Sequence, residues 1–336
     1  MKKTTKTILI VSACFMGAGI LAAAAGVAAG GWFGLQITRD GIRSSSSGSE
    51  PCRLEKTKLD EFTSIKIDIG SEADIEFVPS DDGHCYLEYT LNGNDAEPVW
   101  NIAGSTFTLK QNGVMSTGLF FAGSDFSWNS GPVIRLYIPD GASFSDIDIN
   151  NDYGNIDLNS LSADTLTLNL DSGDLDMENL TAGTADIYLD YGDLDMNGCH
   201  FTDAEIETDS GSIEAEDTVA DTLLLTNNYG DSTLKNTSVR SADLTVESGD
   251  LYLEADGLET LTGVNEYGDT TFVLRDAVEN YTFDLLTEYG EISFSGDVPG
   301  RLISHDGSEM SYTSEADGSK KIEFTAESGD IKIQTK

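Results

Sequence analysis

Apolar and polar residues alternate along most of the chain after residue 60, and glycines interrupt the alternation at regular intervals. Around Gly173, apolar residues occupy every second position from Leu166 to Leu170 and again from Leu175 to Met177. Because successive side chains of a strand point to opposite faces, each run predicts a strand with one apolar face. Glycine adopts positive φ at low cost, so the residue between two runs predicts a bend. Each repeat is therefore predicted to fold as strand, bend, strand.

The bend returns every nineteen residues, and the residue before its glycine alternates between Tyr and Ser, which gives a second period of thirty-eight. The pairs are Tyr153-Gly154, Ser172-Gly173, Tyr191-Gly192, Ser210-Gly211, Tyr229-Gly230, Ser248-Gly249 and Tyr267-Gly268. Fixed self-similarity of this length is typical of repeat architectures, in which stacked units bury one continuous core. No window after residue 60 holds an apolar stripe at the helical period. The sequence predicts an all-β fold, a single-chain β-solenoid (β-helix) with repeats of 19 residues.

Two ways of stacking the repeats are open. If one repeat makes one coil, a bulky Tyr lies beside a small Ser in each neighbouring coil and the two fill space together. If two repeats make one coil, Tyr stacks on Tyr along one edge. We expect the first arrangement, with Tyr191 one strand spacing from both Ser172 and Ser210. On this view packing accounts for the repeated Gly, Asp and Tyr residues, and function is expected where the repeat breaks.

The repeat is irregular toward both ends of the folded part. Residues 52–140 predict irregular β turns that open and cap the solenoid, and residues 141–336 predict its regular part. The opening region contains a Gly- and Ser-rich loop between Gly118 and Gly131. Its aromatic residues either pack over the open end of the solenoid or form a partner-binding loop; they are Phe120, Phe121, Phe126 and Trp128. Lysines concentrate on the last turn, at Lys320, Lys321, Lys332 and Lys336, and are expected to protect an exposed edge strand.

The amino-terminal segment determines the predicted location. Residues 1–6 carry three lysines and predict a cytoplasmic tip, and residues 7–30 are apolar for long enough to form one transmembrane helix. Residues 31–51 are small and polar and predict a flexible tether. A cleaved signal peptide and lipidation at Cys14 are the alternatives. With the anchor retained, the chain is a single-pass protein of the cell membrane with its carboxy-terminal domain outside.

Charge limits the choice of partner. The chain has 59 acidic and 19 basic residues and a formal net charge of −40. Such a surface has little with which to neutralise phosphates, so nucleic acid and anionic lipid headgroups are poor partner candidates. Cations, basic proteins and neutral glycans remain.

Carboxylates flank the glycine bends in most repeats. Stacking would place them in rows with about 4.8 Å between strands, where like charges repel. Two interpretations remain open, a solvated row and a row bridged by calcium. The candidate cation row consists of Asp171, Asp174, Asp190, Asp193, Asp250 and Asp269.

Other reactive residues are few. Cys52 and Cys85 flank the first predicted strands, so they either form a disulfide or remain unpaired. Cys199 takes the position of Leu161 and Leu180 in the preceding repeats and is predicted to lie in the core. The three histidines, His84, His200 and His305, have no metal-ligand spacing and no neighbouring nucleophile motif. The sequence therefore predicts no enzyme and no cofactor apart from the calcium considered above.

The motif Leu, any residue, Leu or Val, any residue, Ser-Gly-Asp-Leu, any residue, Leu or Met occurs at Leu168–Met177 and Leu244–Leu253. It resembles the putative-adhesin family of bacterial surface proteins, over residues 60–334. The resemblance implies a β-solenoid on the bacterial surface, often behind one membrane anchor, and it carries no catalytic motif. We therefore expect an extracytoplasmic binding module or adhesin for a surface protein or glycan. The alternative is an envelope structural or signalling component that works through membrane-protein partners.

Overall fold

The computed structural model describes residues 35–38, 41–44, 51–92, 96–112, 131–295, 300–305, 309–314 and 318–335. Within these ranges the chain forms 28 β-strands, and its one helical element is a 3₁₀ turn at Val278–Asn280. The all-β class predicted from the alternation of apolar and polar residues is confirmed.

In chain order the strands are β1 Leu35–Thr38, β2 Gly41–Ser44, β3 Cys52–Lys58, β4 Ser64–Glu72, β5 Asp74–Ser80, β6 Tyr86–Leu91, β7 Val99–Ala103, β8 Thr106–Gln111, β9 Val133–Pro139, β10 Ser143–Tyr153, β11 Ile156–Asn159, β12 Ser162–Ser172, β13 Leu175–Glu178, β14 Thr181–Tyr191, β15 Leu194–Asn197, β16 His200–Ser210, β17 Ile213–Glu216, β18 Val219–Tyr229, β19 Ser232–Ser248, β20 Leu251–Asp256, β21 Thr260–Tyr267, β22 Thr270–Leu274, β23 Tyr281–Tyr289, β24 Ile292–Phe294, β25 Gly300–His305, β26 Glu309–Ser314, β27 Lys320–Ser328 and β28 Ile331–Thr335.

Each repeat makes one coil of the solenoid, with a long strand, a glycine corner, a short strand and a second corner. The long strands of successive repeats pair in parallel at an offset of nineteen residues, so that Leu168 lies between Ile149 and Ile187. Tyr191 is paired with Ser172 on one side and Ser210 on the other. The prediction of one coil per repeat is therefore confirmed.

Two sheets face each other across one core. The long-strand sheet has the order β7-β8-β4-β10-β12-β14-β16-β18-β19-β21-β27-β23-β26-β25, and the short-strand sheet has the order β3-β6-β9-β5-β11-β13-β15-β17-β19-β20-β22-β28-β24. β19 runs through both sheets. The apolar residues of both sheets point inward and are almost fully buried, as Leu168 and Leu175 are. Cys199 is completely buried among them, as predicted, and burial raises the pKa of its thiol.

The two corners use different backbone conformations. The corner glycines other than Gly290 have φ between +118° and +153°, and a Cβ atom there would lie 1.9–2.3 Å from a carbonyl oxygen of the adjacent coil. The second corner, six residues later, holds a left-handed residue in five successive repeats: Ser160, Asn179, Gly198, Asp217 and Asn236, with φ between +51° and +64°. Asn, Asp and Gly adopt this conformation most readily, and this recurring signal identifies the corner that the sequence analysis missed.

Chain order and spatial order differ at both ends of the solenoid. The coil β8–β9 lies outside β4–β5, although it follows β4–β5 in sequence. At the other end, β27–β28 lies between β21–β22 and β23–β24. The prediction that the lysines of the last turn protect an edge strand is therefore wrong for Lys320, Lys321 and Lys332, because strands flank this coil on both sides; Lys336 lies outside the described residues.

The amino-terminal predictions fall partly outside the described residues. This is the case for residues 1–6 and for the proposed transmembrane segment at residues 7–30. In the part of the chain that the structure describes, no helix is long and apolar enough to cross a membrane. The predicted tether, residues 31–51, contains the antiparallel hairpin β1–β2, which its alternation of Leu35, Ile37 and Ile42 with polar residues could have indicated.

Of the two alternatives for Cys52 and Cys85, the structure shows the unpaired one. Cys52 pairs with Leu91 at one end of the β3–β6 ladder, whereas Cys85 precedes Tyr86, which pairs with Lys58 at the other end. The two residues are therefore about 20 Å apart at roughly 3.4 Å per strand residue, and a disulfide requires Cα atoms within about 7 Å.

Candidate functional site

Five tyrosines lie along one edge of the solenoid, each directly before a corner glycine. Their side chains are 47–67% exposed, which makes them most of the large apolar side chains exposed in the described residues. They are Tyr153, Tyr191, Tyr229, Tyr267 and Tyr289. The expected neighbours of each tyrosine are serines, as observed, but each corner turns its tyrosine toward solvent, so the side chains lie on the surface of the stack.

A serine separates each tyrosine from the next. The spatial order is Tyr153, Ser172, Tyr191, Ser210, Tyr229, Ser248, Tyr267, Ser328, Tyr289. The alternation continues through the carboxy-terminal coils only because β27 lies between β21 and β23, which places Ser328 between two tyrosines. Successive tyrosines are thus two coils apart, or about 9.6 Å at a strand spacing of ~4.8 Å. We call these five tyrosines and four serines the tyrosine edge.

Asp or Asn usually follows the corner glycine, and its side chain caps the backbone of the next coil. Oδ1 of Asp174 accepts the N–H of Asp193 at 3.0 Å, and Oδ1 of Asp193 accepts that of Ser212 at 2.7 Å. The same contact recurs along the edge at 2.8–3.0 Å, with Oδ1 acceptors on Asp74, Asn155, Asp231, Asp250, Asp269 and Asp330. These hydrogen bonds order the corner while the carboxylates stay exposed.

A second set of carboxylates precedes the tyrosines and serines of the edge by one residue, except at Tyr229, which follows Asn228. It includes Asp171, Asp190, Asp209, Glu247 and Glu266, all partly or fully exposed. Glu247 approaches the hydroxyl of Tyr229 on the adjacent coil, at 3.4 Å. The tyrosine edge is therefore flanked by carboxylates on both sides.

Three of the five tyrosine corners are supported from inside by an asparagine three residues before the glycine. Nδ2 of Asn227 donates to the carbonyls of Gly230 at 3.1 Å and Gly211 at 3.3 Å. Asn151 and Asn265 bond to corner carbonyls in the same way. All three side chains are buried, and all three belong to tyrosine coils.

These contacts bear on the candidate cation row. Asp174, Asp193, Asp250 and Asp269 are each ordered by a backbone donor, and Asp171 and Asp190 belong to the other flanking row. Across the described residues there is no group of three or more His, Cys, Asp or Glu side chains arranged to hold a metal ion. The hydrogen bonds account for the aspartates after the glycine without a bridging calcium.

The outer face of the short-strand sheet carries another row of carboxylates. Asp157 lies between Glu76 and Asp176, and the row continues through Asp195 and Glu214. Partial desolvation and the hydrogen bond to Asp176 raise the pKa of Asp157 to about 6, and desolvation and Asp176 also raise that of Asp195. Among the described residues, this face combines repulsive charge with no row of exposed aromatic side chains.

Phe120, Phe121, Phe126 and Trp128, proposed as a partner loop, lie outside the described residues. The tyrosine edge is not among the site residues predicted from the sequence, although the strict period of its tyrosines indicated a regular surface row.

Comparison with known proteins gives the family. The model for the family Toastrack DUF4097 matches residues 62–334. None of the curated proteins matches the chain.

Solved structures show the same kind of similarity at low identity. A crystal structure of a putative lipid binding protein from Parabacteroides distasonis is 12% identical to the chain, with a TM-score of 0.46. The match covers 84% of this chain and 96% of that one. The chain is also similar to a putative adhesin from Bacteroides fragilis, at 12% identity over 86% of this chain and 98% of that one, with a TM-score of 0.36. A further putative adhesin, from Parabacteroides distasonis, is 10% identical over 84% of this chain and 97% of that one, with a TM-score of 0.39.

Proposed function

This chain belongs to the Toastrack DUF4097 family, and we propose that it is an extracytoplasmic binding module, tethered to the membrane, that holds a surface protein or glycan along its tyrosine edge. The observation that carries the proposal is the row of five exposed tyrosines. Exposed aromatic side chains are enriched where proteins bind partners, since they offer a large contact area at low entropic cost.

The core does not explain these tyrosines. Serine occupies the equivalent corner position in alternate coils, with the same glycine and the same strand pairing. A small polar residue therefore satisfies the fold at this position. Five large exposed side chains in a regular row support a role outside the stack.

The amino-terminal sequence supports the proposed anchoring and location. The lysines of residues 1–6 and the apolar residues 7–30 support a retained helix with the solenoid outside the membrane. We propose a binding role without catalysis, supported by the repeat itself, which carries no nucleophile or metal motif. Protease treatment of intact cells tests the location: the solenoid should be cleaved or shed, and its full protection would contradict an outside location.

Arrays of peptides and glycans test the binding role. The full chain in detergent micelles should retain a defined set of ligands. A variant with serine at all five tyrosine positions should lose that set and keep its melting temperature, since serine is native to alternate corners. Identical binding by the two proteins would refute the tyrosine edge as the binding surface.

A further inference from the structure

We propose that the tyrosine edge recognises a cationic, proline-rich peptide segment in the polyproline II conformation. The inference rests on the binding role proposed above and names the class of partner. It is argued from the spacing of the tyrosines, from the shape of the edge and from its charge.

The spacing selects the conformation of the ligand. Tyrosines recur about every 9.6 Å, twice the strand spacing. A polyproline II helix has three residues per turn and rises ~3.1 Å per residue, so the same side recurs about every 9.3 Å. Over the four intervals between Tyr153 and Tyr289 the mismatch grows only to about 1.2 Å.

Other regular peptides fit less well. An extended β-strand presents one face about every 6.8 Å, which matches neither one coil nor two. An α-helix presents one face about every 10.5 Å, or seven residues, and would be out of register by more than ~3 Å over the same four intervals.

The surface chemistry suits proline and an unpaired backbone. Polyproline II segments bind aromatic surfaces because proline rings pack on aromatic faces and the segment loses little entropy on binding. The serines leave a gap between neighbouring tyrosines in which such a ring can lie. The backbone carbonyls of a polyproline II segment have no internal donors, and the tyrosine hydroxyls can supply them.

The charge of the edge selects a cationic segment. Carboxylates line the tyrosines on both sides, those of Asp174 and Asp193 among them, and the chain has a net charge of −40. An Arg at every third position would meet these carboxylates once per turn and could stack on a tyrosine face. A neutral glycan would leave the carboxylates without a counter-charge.

The length of the edge defines the probe. Five tyrosines span about 38 Å, which corresponds to roughly 13 residues of polyproline II. A fluorescent (Arg-Pro-Pro)5 peptide therefore covers the whole row. The matched control is (Arg-Gly-Gly)5, which has the same charge and charge spacing in sequence but no preference for this conformation.

The first test measures fluorescence anisotropy with the full chain in detergent micelles. We expect (Arg-Pro-Pro)5 to bind at least tenfold more tightly than (Arg-Gly-Gly)5. Equal affinity of the two peptides would show that charge alone is sensed and would overturn the proposal.

A variant with the tyrosines out of phase provides the second test. The double substitution Tyr191→Ser and Ser210→Tyr keeps composition, charge and the corner glycines but makes the local spacings about 14.4 and 4.8 Å. Affinity for (Arg-Pro-Pro)5 should fall at least tenfold while that for (Arg-Gly-Gly)5 is unchanged. An unchanged affinity for both peptides, in a variant that melts like the parent chain, would overturn the proposal.

Titration with glycans distinguishes failure of this inference from failure of the proposed binding function on which it rests. Neutral chitohexaose and its cationic deacetylated form are titrated in parallel. If either glycan binds through the five tyrosines and (Arg-Pro-Pro)5 does not, the inference fails and the proposed binding function stands. If no probe or array ligand responds to the five serine substitutions, both fail.

Discussion

Two independent constraints act on every corner glycine except Gly290. The φ of each lies in a region that residues with a side chain rarely adopt, and a Cβ atom added there would point at a carbonyl oxygen of the adjacent coil. At Gly211 that oxygen, on Gly192, would lie 1.9 Å from a Cβ atom. The oxygen belongs to a backbone that is itself fixed by stacking, so it cannot move away.

Gly211→Ala should therefore destabilise the protein by about 3 kcal/mol or more, measured by denaturant unfolding of the full chain in detergent micelles. Gly257→Ala is the matched control, because φ there is +72° and the only atom near the added Cβ is Ser238 Oγ at 3.9 Å. It should cost about 1 kcal/mol from backbone conformation alone. Equal losses in the two variants would contradict a steric role for the stacked corner.

Asn227 tests the polar support of the tyrosine corner. Asn227→Ala removes the donor to two corner carbonyls, and the free energy of unfolding should fall by about 1–3 kcal/mol. Asn197→Ala, at an exposed site on β15, should change it by less than about 0.5 kcal/mol. A loss of the same size in both variants would show that the carbonyl contacts contribute nothing specific.

At the position before the glycine, the alternation of apolar and polar residues no longer predicts the direction of the side chain. Residues seven, five and three before the glycine point inward, so strict alternation also predicts an inward tyrosine at the position directly before it. The strand has begun to bend there, as the register shift between Asn151 and Tyr153 shows, and the side chain turns outward. Period-two alternation predicted the core because it holds within a strand, and it failed at the edge because the corner leaves strand geometry.

At the scale of the strand, stacking identical repeats brings identical charges into lateral contact. On the outer face of the short-strand sheet Asp157 lies between two other carboxylates. Its raised pKa means that the folded state binds this proton more tightly than the unfolded chain does. This contribution to stability is present below the unfolded pKa and is lost as the pH rises through about 6.

Asp157→Asn should consequently stabilise the protein at pH 7, by roughly 1 kcal/mol after allowance for solvent screening, and the gain should disappear near pH 4. Asp243→Asn is the control, since the lateral neighbours of Asp243 are Leu224 and Thr262. Chemical unfolding at the two pH values measures both variants. A gain at pH 7 that persists at pH 4 would contradict the linkage to this carboxyl.

At the scale of the whole molecule, the carboxy-terminal coil, β27–β28, lies inside the stack of coils and not at its end. β27 pairs with β21 and with β23, and the ring of Phe324 meets that of Phe272 at a centroid distance of 5.0 Å. Nothing in the repeat period indicates this order, because a strand of the right pattern can pair with any equivalent strand. The alternation of Tyr and Ser does indicate it, since only this order keeps a serine between Tyr267 and Tyr289.

Deletion of residues 319–336 should expose the side of β23 that pairs with this coil. Amide hydrogen exchange should show lost protection in Tyr281–Phe283, whose strand partners lie only on β27, and retained protection in the coils from Ser143 to Tyr229, which make their own lateral pairings. Retained protection in Tyr281–Phe283 would contradict the inserted position of the last coil.

The central claim is that the tyrosine edge is a binding surface, and tyrosine nitration in the native envelope tests it most directly. Mass spectrometry would compare nitration of the full chain in intact cells with that of the purified chain in detergent micelles. We predict that Tyr153, Tyr191, Tyr229, Tyr267 and Tyr289 are protected in cells and react when purified, whereas Tyr252, on the short-strand sheet, reacts equally in both. Equal nitration of the five edge tyrosines in cells and in the purified chain would contradict the account.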